Sequence, residues 1–332
     1  RIGFGGYLKL ADKLPCFCKA VKQLVNEFRD ICDAVDNKEP YCALKVAVLS
    51  YYGREKSWMT YMTCQDAPYQ RNAPYIGVLE ALAGLPVDVA FVSFAEAKAG
   101  RLKDFDAVIN LGDAGTAFSG DACWKDETLV SAVRAYIAEG GGFIGVGEPA
   151  AVKHGGRFFQ LADALGVEKE TGLSILFNRF NTAADCNHFI AADMKETPDY
   201  GGGTDHVYAL EGTQVLDMRF SEDFPAGENC GHVKMAVHSY GKGRCFYLAG
   251  MKYNAQNART LYRAMLWCAG KEHLLERAYS SNIFTECHYY PESGKYALVN
   301  NGEAAQKTVF YDISGNKRAY TLQPNEICWI EE

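Results

Sequence analysis

Between Lys45 and Val146 short β-branched runs alternate with helical segments, and this alternation constrains the fold more than any other feature of the chain. Lys45–Ser50 (KVAVLS), Val87–Phe94, Phe105–Leu111 (FDAVINL) and Phe143–Val146 (FIGV) read as strands. Pro74–Ala83 reads as a helix stopped by Gly84. Thr128–Ala138 reads as a second, with Leu129, Val133, Tyr136 and Ile137 on one side and Gly140-Gly141-Gly142 after it. Strand, helix, strand, helix at these lengths predicts an α/β domain with a parallel sheet covered on both faces and right-handed crossovers.

The flanks read differently. Residues 1–7 (RIGFGGY) look like a short strand ending in glycines. Leu10, Leu14, Phe17, Val21, Leu24, Phe28, Ile31 and Val35 recur at gaps of three and four, which marks one face of a long amphipathic helix. Asp36–Pro40 is a polar, proline-ended linker. Residues 157–166 (RFFQLADALG) are expected to be helical, and 170–230 to be rich in turns. His232–Tyr240 and Arg244–Leu248 flank Gly241-Lys242-Gly243 as a hairpin, and Asn257–Cys268 is a helix expected to pack on the sheet. Beyond Lys271 five short runs of period two predict a small antiparallel β domain. The expected units are 1–40, 41–270 and 271–332. A chain opening on Arg1 inside an apolar, glycine-rich run is expected to be part of something longer.

Charge narrows the function. Lys and Arg total 34 against 41 Asp and Glu, a net charge of −7 without a basic stripe. That argues against nucleic acid and anionic membrane surfaces as partners. No apolar run approaches the roughly 18 residues of a membrane span. The 12 cysteines form no C-x-x-C pair and read as reduced thiols used as small hydrophobes, which favours a cytoplasmic location. The 7 histidines are scattered without metal-ligand spacing, so no metal site is expected.

Candidate chemistry is sparse. Gly3-x-Gly5-Gly6 and Gly145-x-Gly147 follow strands but complete no dinucleotide or phosphate-loop motif. The layout of GGGFIGVGEP (140–149) resembles class I glutamine amidotransferase-like domains, in which such a strand leads to a nucleophilic cysteine. Val146-Gly147-Glu148 stands there instead, so thioester chemistry has no nucleophile. Glu148, at the carboxyl end of a parallel strand, either contacts a substrate hydroxyl or caps the following segment. Tyr51, Tyr52, Trp58, Tyr61, Tyr69 and Tyr75, with Arg54 and Arg71, would suit a sugar platform or ordinary loop packing.

Long stretches in order carry a resemblance. RIGFGGYLKLADKLP, VAVLSYYGREKSWMTYM, PYIGVLEALAGLPVDVAFVSF, VINLGDAGTAFSG and GGGFIGVGEPAA followed by GRFFQLADALGV resemble the lacto-N-biose phosphorylase family, glycoside hydrolase family 112. The likeness covers about residues 1–270 and continues more weakly to the end. It implies a (β/α)8 barrel, of which residues 1–7 would be the last strand and 8–35 the closing helix. A central domain like glutamine amidotransferase or β-galactosidase trimerisation domains follows, then a small antiparallel β domain.

The family's reaction is inverting phosphorolysis of galactosyl-β-1,3-N-acetylhexosamine to α-galactose 1-phosphate and free N-acetylhexosamine. The resemblance thus implies a β-galactoside disaccharide and inorganic phosphate as partners, no organic cofactor, and a homodimer of the longer protein. The acid is an aspartate of the barrel that this chain does not contain, so no catalytic residue is carried over and the chain alone is expected to be inactive. Gly5, Gly6 and Tyr7 would lie at the barrel mouth near phosphate, or serve only to close the barrel. Arg54 and Glu148 complete the substrate-proximal candidates. The competing reading is a stand-alone, non-catalytic amidotransferase-like module for oligomerisation or sugar binding. The helix from Leu10 to Val35 argues against it, because such a module has no use for it.

Overall fold

The computed structural model describes residues 13–51, 73–171, 183–220 and 231–332. Strand β1 (Leu44–Ser50) carries VAVL at positions 46–49, all four fully buried, so both of its faces are covered. It lies between β2 (Val87–Ser93) and β3 (Ala107–Gly112), and β3 pairs in turn with β4 (Gly142–Gly147), all parallel. Helices α2 (Ala73–Ala83), α3 (Phe94–Lys98) and α4 (Glu127–Ala138) fall in the connections. Phe94 begins a helix where a strand residue was expected. Ser93 caps it, accepting from the Glu96 N–H while the Glu96 carboxylate accepts from Ser93.

The segment after β4 departs from expectation. Arg157–Phe159 is a strand, β6, hairpinned to β5 (Ala151–His154), and only Ala162–Leu165 (α5) is helical. Gly155 and Gly156, both at positive φ, make the turn, and Phe158-Phe159 suits an extended backbone better than its helical spacing suggested. β7 (Val167–Lys169) then pairs with β8 (Val207–Ala209).

β9 (Gln214–Phe220), β10 (Gly231–Tyr240) and β11 (Gly243–Leu248) complete the main sheet in the order β2-β1-β3-β4-β11-β10-β9. β10 and β11 form the expected hairpin, and β11 runs parallel to β4. Helix α6 (Ala255–Cys268) packs with α2, while α3 packs with α4, giving two helical groups on one sheet. This is an α/β architecture with a parallel centre.

Five further strands and one short one form the C-terminal part. β12 (Tyr279–Ser280), β15 (Gln306–Tyr311) and β16 (Lys317–Leu322) make one antiparallel sheet. β13 (Thr285–Tyr290), β14 (Lys295–Asn300) and β17 (Ile327–Glu331) make another. Tyr289, Tyr296, Leu298, Phe310 and Leu322 share one core across the two. Tyr41 is packed against this core and the central one, and its N–H donates to Tyr289 O at 2.7 Å.

Helix α1 (Pro15–Val35) has no buried residue. Leu14, Leu24 and Phe28 of the apolar stripe are exposed to solvent. Pro15 suits the first helical turn, and Asp36, in the left-handed region, ends it with its N–H on Cys32 O. Among the described residues no helix is long and apolar enough to cross a membrane. The described cysteines are free thiols, and burial pushes those of Cys245, Cys268 and Cys287 up, which keeps them unreactive.

Candidate functional site

The parallel strands end on one edge of the sheet, and Gly112 and Gly147 face each other as the last pair of the β3–β4 ladder. Gly147 has φ +79°, and a Cβ there would stand 3.1 Å from Gly112 O. Only glycine makes this turn without strain. It aims the next residue at the sheet edge, with Glu148 N–H donating to Gly112 O at 3.0 Å. Buried groups hold the turn from below. The Tyr247 hydroxyl donates to Gly147 O at 3.2 Å, and Asn110 bridges Ser119 O and Ala150 N–H.

The Glu148 carboxylate has two partners. One oxygen accepts the Ala114 N–H at 2.8 Å, and the other pairs with the Lys169 ammonium on β7. The Ala114 bond ties Glu148 to the segment after β3 rather than to the one that follows it after β4. It also lines a cavity of about 720 Å³ together with Asp113, Lys169 and the loop 201–206. Asp113, Glu148 and Ala249 are the first residues after three neighbouring strands, so the cavity sits on their carboxyl ends. It adjoins the reversal of strand order between β1 and β3, where open α/β sheets take ligands.

The far wall is built by a charge inside the sheet. Lys234, on β10, is almost wholly buried and donates to Thr204 O at 2.8 Å and to Asp205 Oδ1 at 2.6 Å. Thr204 N–H adds a bond to Ala249 O at 2.7 Å. The His206 and His232 rings lie 4.9 Å apart, with His232 Nδ1 3.7 Å from the same Asp205 oxygen. Burial alone would raise the Asp205 carboxyl, but the Lys234 bond and charge, with His232 and His206, hold it below the ordinary range. Burial first, then the neighbouring His206, lowers His232.

This edge therefore offers paired carboxylates and ammonium groups, a histidine pair and backbone donors around a polar cavity. The strand turn itself, at Gly147, carries no side-chain nucleophile. Gly5, Gly6, Tyr7 and Arg54 lie outside the described residues, as do Trp58, Tyr61, Tyr69 and Arg71. Tyr75 packs on Phe118 with ring centroids 4.5 Å apart, and Tyr51 against Phe94. Lys169, Asp205, His206 and Lys234 were not anticipated. A signal for two of them existed in the run Gly201-Gly202-Gly203-Thr204-Asp205-His206, a glycine turn delivering two titratable side chains.

Comparison with known proteins matches the sequence to a family. Residues 45–273 match the lacto-N-biose phosphorylase central domain, 279–330 its C-terminal domain, and 1–43 its N-terminal TIM barrel domain. A 1,3-β-galactosyl-N-acetylhexosamine phosphorylase of Lachnoclostridium phytofermentans is 43% identical over 99% of this chain and 44% of its own length. One from Bifidobacterium longum subsp. longum is 35% identical over 100% of this chain and 47% of its own length. A D-galactosyl-β-1→4-L-rhamnose phosphorylase of L. phytofermentans is 31% identical over 97% and 42%. The chain thus spans less than half the length of these curated relatives. With its central 229-residue match and such identity along almost its whole length, the chain belongs to the lacto-N-biose phosphorylase family.

Proposed function

We propose that this chain supplies the central and C-terminal domains, and the end of the barrel, of a phosphorylase acting on galactosyl-β-1,3-N-acetylhexosamine. The products are α-galactose 1-phosphate and free N-acetylhexosamine. The family match over residues 45–273 carries this reading. The three relatives' names share a galactosyl group and phosphorolysis, with N-acetylhexosamine as acceptor in two and L-rhamnose in the third, which makes the galactoside the common substrate class.

In an inverting reaction an acid protonates the leaving oxygen while phosphate attacks the anomeric carbon from the opposite face. Phosphate is already anionic, so the second carboxylate of ordinary inverting hydrolysis is not needed as a base. We assign the acid to the barrel, outside this chain. The proposed units are 1–40 (end of the barrel), 41–270 (an amidotransferase-like central domain) and 271–332. The same reading gives a cytoplasmic homodimer of the longer protein that uses no metal or organic cofactor. The chain's own contribution is the polar wall at Glu148, Lys169 and Asp205, which positions and encloses substrate.

The test joins the N-terminal segment of the 43%-identical relative to this chain. The chimera is expected to release galactose 1-phosphate from lacto-N-biose only with phosphate, while the chain alone releases none. Turnover by the chain alone would place the acid within it, and a folded chimera inactive on every β-galactoside would overturn the assignment.

A further inference from the structure

The seam between the central unit and the C-terminal sheets holds a second cavity, of about 270 Å³, far along the chain from the groups at Glu148. Two aromatic side chains line it with much of their surface in solvent, Tyr253 at 45% and Phe284 at 55%.

Polar groups stand between them. Glu286 Oε1 accepts from Asn301 Nδ2 at 2.9 Å, and Oε2 lies 3.1 Å from His288 Nε2, which leaves each oxygen further acceptor capacity. The carboxylate also fits closely against the main chain, since a Cβ on Gly84 would come within 2.9 Å of it. Arg259 borders the cavity and donates to Ser280 O at 2.8 Å, while the Asp193 carboxylate 3.6 Å away is shared with Arg263, which holds it at 2.6 Å. In the wall, the Tyr262 hydroxyl is buried without a hydrogen-bond partner among the described residues.

We propose that this seam binds one neutral pyranose ring. The apolar C–H face of the sugar would lie on Tyr253 and Phe284, and vicinal hydroxyls on the Glu286–Asn301 pair. The Glu286 carboxylate in the lining opposes an anionic group such as a phosphate there. The volume falls just under the roughly 300–1,000 Å³ of sites for drug-sized ligands, which suits a single ring rather than an oligosaccharide. Because residues of both units line the seam, a guest there holds them together.

The experiment titrates the whole chain with galactose, N-acetylglucosamine and N-acetylgalactosamine separately, by saturation-transfer NMR and calorimetry. At least one sugar is expected to bind saturably and to raise the thermal unfolding midpoint. Phe284→Ala, at an exposed position, and Glu286→Gln, which keeps the side chain's shape, are each expected to weaken that binding about tenfold, the loss of one good contact. Glu148→Gln is expected to leave it unchanged. Absence of saturable binding for all three sugars overturns the proposal. So does affinity retained in either seam variant, or lost with Glu148→Gln. None of these outcomes bears on phosphorolysis, which the chimera tests on its own.

Discussion

Glu148 and Lys169 form an ion pair in the wall of the cavity at the strand ends, joining the turn after β4 to strand β7. Both side chains are mostly buried, so the pair is screened far less than a surface one.

Glu148→Gln keeps an acceptor for the Ala114 N–H and removes the charge opposite Lys169. The expected cost is about 1–3 kcal/mol of unfolding free energy, read from urea melts. In the active chimera the same change is expected to raise KM several-fold and to leave kcat within about threefold. A collapse of kcat as deep as that from removing the acid would show that Glu148 takes part in the chemical step.

Lys234 is a charge inside an apolar strand. Lys234→Ala removes the ammonium, orphans Thr204 O and opens a void. A loss of about 3–5 kcal/mol is expected. Lys234→Met keeps most of the volume and should recover about half of that loss. Equal losses in the two variants, measured by denaturant unfolding, would show that packing plays no part.

Stability should fall on mild acidification. Burial lowers His188, His232 and His238 from their ordinary value of 6.5, joined in His188 by Arg244 and in His232 by His206. Above pH 6.5 these rings are neutral in both states. Below it the unfolded chain takes up protons first, so stability declines until pH passes the folded values. Asp205, also depressed, adds a later loss as pH falls from 3.8 toward its folded value, and its exposure keeps that contribution small. Unfolding midpoints from about pH 7.5 to 5 measure the slope, and His238→Gln should flatten it.

Deleting residues 1–38 should leave the unfolding midpoint of the rest within about 2–4 °C. Helix α1 has no buried residue, and the cut breaks a surface ion pair, that of Lys38 with Glu292 at 3.3 Å. Removal of Leu14, Leu24 and Phe28 from solvent should also reduce self-association, seen by light scattering. A marked drop in the midpoint would mean that the helix supports the sheet.

The parallel centre of the main sheet was readable because β1, β3 and β4 are apolar on both faces, as at Val46–Leu49, and β4 follows Gly140-Gly141, whereas β9 (Gln214–Phe220), half-polar and only partly buried, fell in a stretch read as turns. The β5–β6 hairpin was not, because Phe158, Phe159 and Leu161 with Ala162–Leu165 mimic helical spacing, and the deciding Gly155-Gly156 turn lies just upstream. Glu148 stood out because it follows a glycine turn at a strand end. Lys234 did not, because a lone lysine in a strand ordinarily reads as solvent-facing. Its burial depends on Asp205, 29 residues away, and such pairings have no local signature.

Tyr41 reaches its place late in the life of the chain. Its partner Tyr289 lies 248 residues further along, so the bond that seats the linker beside β13 cannot close until that stretch has been made. At about 5–20 residues per second, that wait is about 10–50 s. During it the earlier strands have time to form their sheet while the linker is still unclasped. Synthesis order thus makes the C-terminal strands the closing clamp, set on a sheet that is already in place.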